Sequence, residues 1–161
     1  MAPVLMKRVS FLDYPVDFNL RFKGKPLFGK NKTYRGFFFG IFFAVLISLL
    51  QEQLYTYTFF QSLSLIDYGT INIFLFGFLI GFGVLFGDLL ESFIKRRFHK
   101  KPGERFFPWD QLDGLIGGLI FLSPLYWPGW TFFLLLIVFV LVLHIAINHL
   151  GHYLGLQESK W

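Results

Sequence analysis

From Gly36 to Gly87 the chain carries two acids, Glu52 and Asp67, and no Lys or Arg, and from Gly114 to Gln157 it carries no Asp, Glu, Lys or Arg at all. Stretches of that length and character are solvated by lipid, because a chain of 161 residues has no interior large enough to hide them from water. Composition agrees: 55% hydrophobic residues, 24 Phe and a mean hydropathy of +0.56 exclude both a disordered chain and a soluble single-core enzyme. All fifteen Lys and Arg fall in three places: eight between Lys7 and Arg35, six between Lys95 and Arg105, and Lys160. Cations gathered between apolar stretches follow the positive-inside rule. They place the N-terminal segment 1–35, the central loop 88–113 and the C-terminus on the cytoplasmic side, with 51–70 and 124–129 outside. Such charge reads orientation and anionic phosphate, so no nucleic-acid partner is expected.

The fold expected is an all-α polytopic membrane protein, one integral-membrane domain over 1–161, with four transmembrane helices at about 36–54, 71–87, 112–127 and 130–151. Their apolar runs are shorter than the roughly 20 residues that cross a bilayer unaided, which favours polar access from one face. Ser-Pro-Leu-Tyr-Trp-Pro-Gly-Trp (123–130) makes a tight hairpin between the last two, with two Pro and a Gly to stop the helices and Trp for the headgroup layer. Gly77 and Gly81 form a small-xxx-small pair suited to helix packing or to a homo-oligomer. Lys7 and Arg8 are followed by Asp13 and Asp17 instead of an apolar run, so no signal peptide is expected.

Chemistry concentrates in the central loop. If the second span continues as a helix, Asp88, Ser92, Lys95 and Arg96 share one face at i, i+4, i+7 and i+8. Asp110 and Asp113 stand three apart where the third span begins, so both carboxylates reach one space. The absence of Cys removes thiolate metal sites and Cys nucleophiles, and the redox compartment cannot be read. Carboxylates beside a polybasic loop then mean hard-cation and phosphate chemistry: Mg²⁺ on Asp88, Asp110 and Asp113, phosphates on Lys95, Arg96 and Arg97. Each residue alone also has an ordinary explanation, Asp110 and Asp113 as an acidic first turn and Lys95 to Arg97 as orientation charges. The constellation is favoured because Asp88 at a span end is costly unless paired or metal-bound. Ahead of the first span, Lys30, Asn31, Lys32, Thr33 and Arg35 lie between Gly29 and Gly36 and can follow a polyphosphate, although the order is not that of a P-loop. His144, Asn148 and His152 share a face of the fourth span, where packing or a headgroup role outweighs metal binding.

These motifs resemble a family. Gly-Lys-Asn-Lys-Thr-Tyr-Arg-Gly (29–36), Gly-Asp-Leu-Leu-Glu-Ser-Phe-Ile-Lys-Arg-Arg (87–97), Pro-Gly-Glu (102–104), Asp-Gln-Leu-Asp (110–113) and the terminal Gly-Leu-Gln-Glu-Ser-Lys-Trp are similar to those of CDP-archaeol synthases, across essentially the whole chain. The resemblance implies CMP transfer from CTP to an isoprenoid glycerol phosphate lipid, unsaturated archaetidic acid, giving CDP-archaeol and pyrophosphate with Mg²⁺ at the cytoplasmic side of the cell (plasma) membrane. Two positions depart from the family pattern: Tyr34 stands for the usual Trp, and Glu91 for a frequent Lys, which puts a phosphate-binding role at 91 in doubt. The family usually has five spans, the first ending near Ala2-Pro3; four are expected within this sequence. A lipid tail and a nucleotide require separate openings, so a lipid groove is expected between the Gly-lined second and third spans, lidded by the loop 95–110 with Phe98, Phe106, Phe107 and Trp109 dipping toward the headgroups. The other readings are a CTP-dependent lipid kinase, a CDP-diacylglycerol synthase acting on ester lipid, and a small ion transporter using Asp88 and His144.

Overall fold

The structure, a computed structural model, describes residues 12–100, 104 and 106–153. Expectations attached to residues 1–11, to Lys101, Pro102, Gly103 and Arg105, to the His152 side chain and to the terminal motif lie outside the described residues. A short antiparallel hairpin of β1 (Arg21–Phe22) and β2 (Lys25–Pro26) precedes the helices α1 (Tyr34–Leu54), α2 (Thr58–Leu63), α3 (Ile73–Arg97), α4 (Trp109–Leu122) and α5 (Trp130–Tyr153). Three of them, α1, α3 and α5, are long and apolar enough to cross a membrane. The protein is an all-α polytopic membrane protein to which one small hairpin is added.

Local chemistry sets the helix ends. Thr33, in extended backbone, accepts from the Gly36 N–H at 3.3 Å and starts α1; Asn72 accepts from the Leu75 N–H at 3.0 Å and starts α3. No Gly or Pro interrupts α3 between Asp88 and Phe98, and Lys95, Arg96 and Arg97 place positive charge on its last carbonyls. The helix therefore runs to Arg97, and the chain breaks only at His99, whose φ is 63°. This corrects the expected loop 88–113: its first part is helix as far as Arg97, and Trp109 already opens α4. The helix within the expected third span ends at Leu122 instead of near 127, because Ser123 and Pro124 stop it. At 14 residues α4 is about 21 Å long, well short of a bilayer's hydrocarbon thickness of about 30 Å.

Glycine places α3 at the centre. Lacking Cβ atoms, Gly77 and Gly81 let α3 approach α1, where an added Cβ would lie 2.7 Å from Val45 Cα and 2.8 Å from Ala44 Cβ. The face that the sequence offers for packing or oligomerisation is thus taken by α1. Gly83 and Gly87 form a second such pair a part-turn round the helix and meet Gly117, Gly118 and the Asp113 carbonyl of α4 backbone to backbone. Away from these seams α1 presents Phe38, Phe42, Leu46 and Leu50 outward, and α5 presents Phe139, Val142 and Leu143. Those exposed faces are lipid-facing, since water would not tolerate them along two whole helices. Tyr68, Ile73, Phe76 and Leu122 are buried together near the start of α3, and the Tyr126 hydroxyl donates to Leu65 O at 2.9 Å, closing that end of the bundle. The charged residues of α3 lie at its other end.

Candidate active site

Three pieces of chain converge at the C-terminal end of α3. The helix supplies Asp88, Glu91, Ser92, Lys95 and Arg96; the first two turns of α4 supply Asp110 and Asp113; the arch Phe28 to Lys32 supplies Gly29, Lys30, Asn31 and Lys32. Together they line a polar cavity of about 230 Å³. The close glycine contact between α3 and α4 makes this convergence geometric: with Gly87 against the Asp113 carbonyl, the neighbouring Asp88 and the Asp113 side chain share one space.

One oxygen from each of Asp88, Glu91 and Asp113 lies within 4.8 Å of the others. Opposite oxygens on an octahedral Mg²⁺ stand about 4.2 Å apart, so small side-chain adjustments bring this set onto one ion. Three carboxylates with no Cys or His in the lining are a donor set for Mg²⁺ or Mn²⁺ and a poor one for softer metals. Lys32 Nζ bonds both Asp88 oxygens, at 2.5 and 2.6 Å. Lys95 Nζ sits between Glu91 Oε1 at 2.6 Å and Asp110 Oδ1 at 2.7 Å. The backbone N–H of Phe106 donates to Asp110 Oδ2 at 2.9 Å, and that of Gly114 to Asp113 Oδ1 at 2.7 Å.

The expected ligand trio is therefore arranged differently from the sequence reading. Asp88 and Asp113 share the cluster with Glu91, while Asp110 lies in the same cavity but is held by Lys95 and the Phe106 N–H. Sequence reasoning set Glu91 aside on family pattern; its spacing of i+3 from Asp88 on a helix that continues was the signal that places it in the cluster. Lys30, Asn31, Lys32, Ser92, Lys95 and Arg96 all line the cavity. Thr33, Arg35 and Arg97 do not. Thr33 caps α1 and Arg35 pairs with Asp13 Oδ1 at 3.0 Å. Arg97 donates to the carbonyls of Phe22 and Pro26 at 2.7 and 2.6 Å, and its guanidinium lies over the Phe93 ring, docking the β hairpin on α3. His144 lies exposed on α5, away from the cavity lining.

Lys95 carries a prediction of its own. Its side chain is only 12% exposed, and its charge bridges two carboxylates that would otherwise repel. Lys95→Met should destabilise the protein by about 3 kcal/mol, read as loss of thermal stability in detergent, and adding Asp110→Asn should recover a large part of it. Equal stability of Lys95→Met and wild type would contradict this reading.

Behind the polar cavity lies an apolar groove of about 420 Å³ between α3 and α4. Phe86, Leu90, Ile94, Ile116, Ile120 and Phe121 wall it, Phe98, Phe106 and Trp109 stand at its edge, and Glu91 and Asp113 belong to both spaces. Cations and carboxylates of the kind that bind phosphates and hard metals, set against a channel fit for hydrocarbon, fit a membrane-embedded enzyme of phosphate-transfer chemistry. Comparison with known proteins narrows the class. Residues 10–161 match the CarS-like CDP-archaeol synthase family model. The CDP-archaeol synthase of Archaeoglobus fulgidus is 38% identical over 91% of this chain and 84% of its own length, and that of Methanoculleus marisnigri 37% over 91% and 89%. A solved structure described as an intramembrane enzyme for archaeal membrane lipids biosynthesis superposes with a TM-score of 0.64 at 27% identity, covering 88% of this chain and 82% of that one. The chain belongs to the CDP-archaeol synthase family. It is a nucleotidyltransferase, and its reaction is CTP-dependent cytidylyl transfer in lipid synthesis.

Proposed function

We propose that the protein transfers CMP from CTP to an isoprenoid glycerol phosphate, unsaturated archaetidic acid, forming CDP-archaeol and pyrophosphate with Mg²⁺ at the cytoplasmic face of the membrane. The observation that carries this reading is that Glu91 and Asp113 line both the polar cavity and the apolar groove. A nucleotide bound on one side and a lipid on the other would bring their phosphates together at those carboxylates.

An oxygen of the lipid phosphate attacks the α-phosphorus of CTP, a new P–O bond forms, the bond from the α-phosphorus to the bridging oxygen breaks, and pyrophosphate leaves. The attacking phosphate monoester is largely dianionic at neutral pH, its second pKa being about 6, so no general base is required. Positioning and charge compensation are the catalytic tasks. Lys30, Lys32 and Arg96 grip the triphosphate, and Asn31 and Ser92 add hydrogen bonds to it. Lys95 fixes Glu91 and Asp110 in place. Among the described lining residues four acids, Asp88, Glu91, Asp110 and Asp113, balance four cations, Lys30, Lys32, Lys95 and Arg96. These described residues therefore bring no surplus positive charge to a polyanion. Magnesium held by Asp88, Glu91 and Asp113 would supply that charge and stabilise the leaving pyrophosphate.

Narrowing the groove tests the lipid half of the proposal. Ile116→Trp should raise the KM for the lipid phosphate about tenfold, the cost of about 1.4 kcal/mol of lost or strained tail contacts, with the KM for CTP changed less than about twofold. An equal rise in both constants would remove the groove from the lipid's path.

A further inference from the structure

The arch that carries Lys30, Asn31 and Lys32 is held at both feet by one neighbouring segment. On its far side the backbone runs as a ladder: Lys32 O accepts from Val16 N at 2.8 Å, Tyr34 N donates to Tyr14 O at 3.0 Å, and Arg35 N to Leu12 O at 2.9 Å. On its near side a single carboxylate does the work. Asp17 Oδ2 accepts from the backbone N–H groups of Phe28 at 3.0 Å and Gly29 at 3.1 Å, while Oδ1 accepts from Asn19 at 3.0 Å. Between the two anchorages the chain reverses at Gly29, whose φ is 106°, and closes a turn from Lys32 N to Gly29 O at 3.2 Å. Asp17 is 4% exposed and does not line the cavity.

We infer that Asp17 is a positioning residue for nucleotide binding, fixing the arch so that Lys30 and Lys32 meet the phosphates of CTP already in place. The inference rests on the proposed function and deepens it. A buried carboxylate beside an anion site is otherwise unfavourable on two counts, desolvation and repulsion of the substrate. Here the charge is absorbed by three backbone donors that orient the residues before Lys30. Burial pushes the Asp17 carboxyl up, but the N–H groups of Phe28, Gly29 and Asn19 outweigh it and hold the group below the usual carboxylate range. Without them the arch gains freedom that binding must then remove, which weakens affinity instead of the bond-making step.

Kinetics of Asp17→Ala and Asp17→Asn in the full-length protein test this. Asp17→Ala should raise the KM for CTP about tenfold and the inhibition constant for pyrophosphate in parallel, with kcat within about threefold and the lipid KM unchanged. Asp17→Asn keeps the shape and one acceptor oxygen, so its shift should lie between. A purely structural role would instead lower kcat and thermal stability while moving both substrates' constants alike or not at all, and that result overturns the inference. Should both variants fail to fold, hydrogen exchange on the wild type decides: the Phe28 and Gly29 amides should be protected well beyond those of Lys30 and Asn31, and fast exchange there sinks the idea. An inactive wild type would speak against the proposed function, whereas an active wild type with unshifted variants speaks only against Asp17.

Discussion

Asp88→Asn and Asp113→Asn should each lower kcat by about a thousandfold, equivalent to about 4 kcal/mol of lost transition-state stabilisation, while the protein stays folded. Both side chains contribute to the three-oxygen cluster, and replacing an anionic oxygen by an amide removes charge as well as a ligand. The signature that separates this from misfolding is metal dependence. The variants should need far more Mg²⁺ to reach their residual rate, with thermal stability in detergent close to wild type. Glu91→Gln should behave in the same direction, whereas Glu52→Gln, near the other end of α1, should keep full activity. Variants with normal turnover at normal Mg²⁺ would dissolve the metal cluster.

The second large effect is steric. An added Cβ at Gly87 clashes with the Asp113 carbonyl oxygen and lies 3.3 Å from Gly117 Cα, so backbone, and not a mobile side chain, stands in the way. Gly87→Ala should cost at least about 3 kcal/mol, beyond ordinary core overpacking, because α3 and α4 must part to admit the methyl. Any folded fraction should be inactive, since parting the helices draws Asp113 away from Asp88 and Glu91. Gly114→Ala provides the comparison: its methyl would meet only Val84 Cγ1, at 3.2 Å, and a rotamer adjustment relieves it at under about 1 kcal/mol. Equal stability of the two variants, measured by thermal aggregation in detergent, would contradict the backbone contact.

The features carried by periodicity and charge were legible in the sequence. Helices in membranes need only apolar length, so α1 and α5 could be placed within a few residues, whereas α3 runs on to Arg97, past the expected end at 87; the face shared by Asp88, Ser92, Lys95 and Arg96 follows from the helical repeat. What escaped depends on contacts distant in sequence. Nothing local shows that Gly83 and Gly87 meet Gly117 and Gly118 while Gly77 and Gly81 meet α1; one spacing motif serves two partners. Nor does composition tell a phosphate-gripping cation from a structural one. Lys32 and Arg35 lie three apart, yet the first enters the cavity and the second pairs with Asp13. Arg97 next to Arg96 repeats the lesson, its guanidinium going to the hairpin carbonyls while Arg96 faces the cavity. Asp17 gave no motif at all, because its importance lies in backbone groups of residues Phe28 and Gly29 that the fold brings to it.

The central claim is that a nucleotide and a lipid phosphate react where the polar cavity meets the apolar groove at Glu91 and Asp113. The most direct measurement supplies purified protein with Mg²⁺, unsaturated archaetidic acid in detergent or liposomes, and CTP labelled either at the α-phosphate or at the γ-phosphate. The account predicts that α-label moves to the lipid fraction with release of one pyrophosphate per product, that γ-label stays in the water, and that Asp113→Asn suppresses the transfer. Label arriving on the lipid from the γ-position, or no lipid labelling from either, would contradict it.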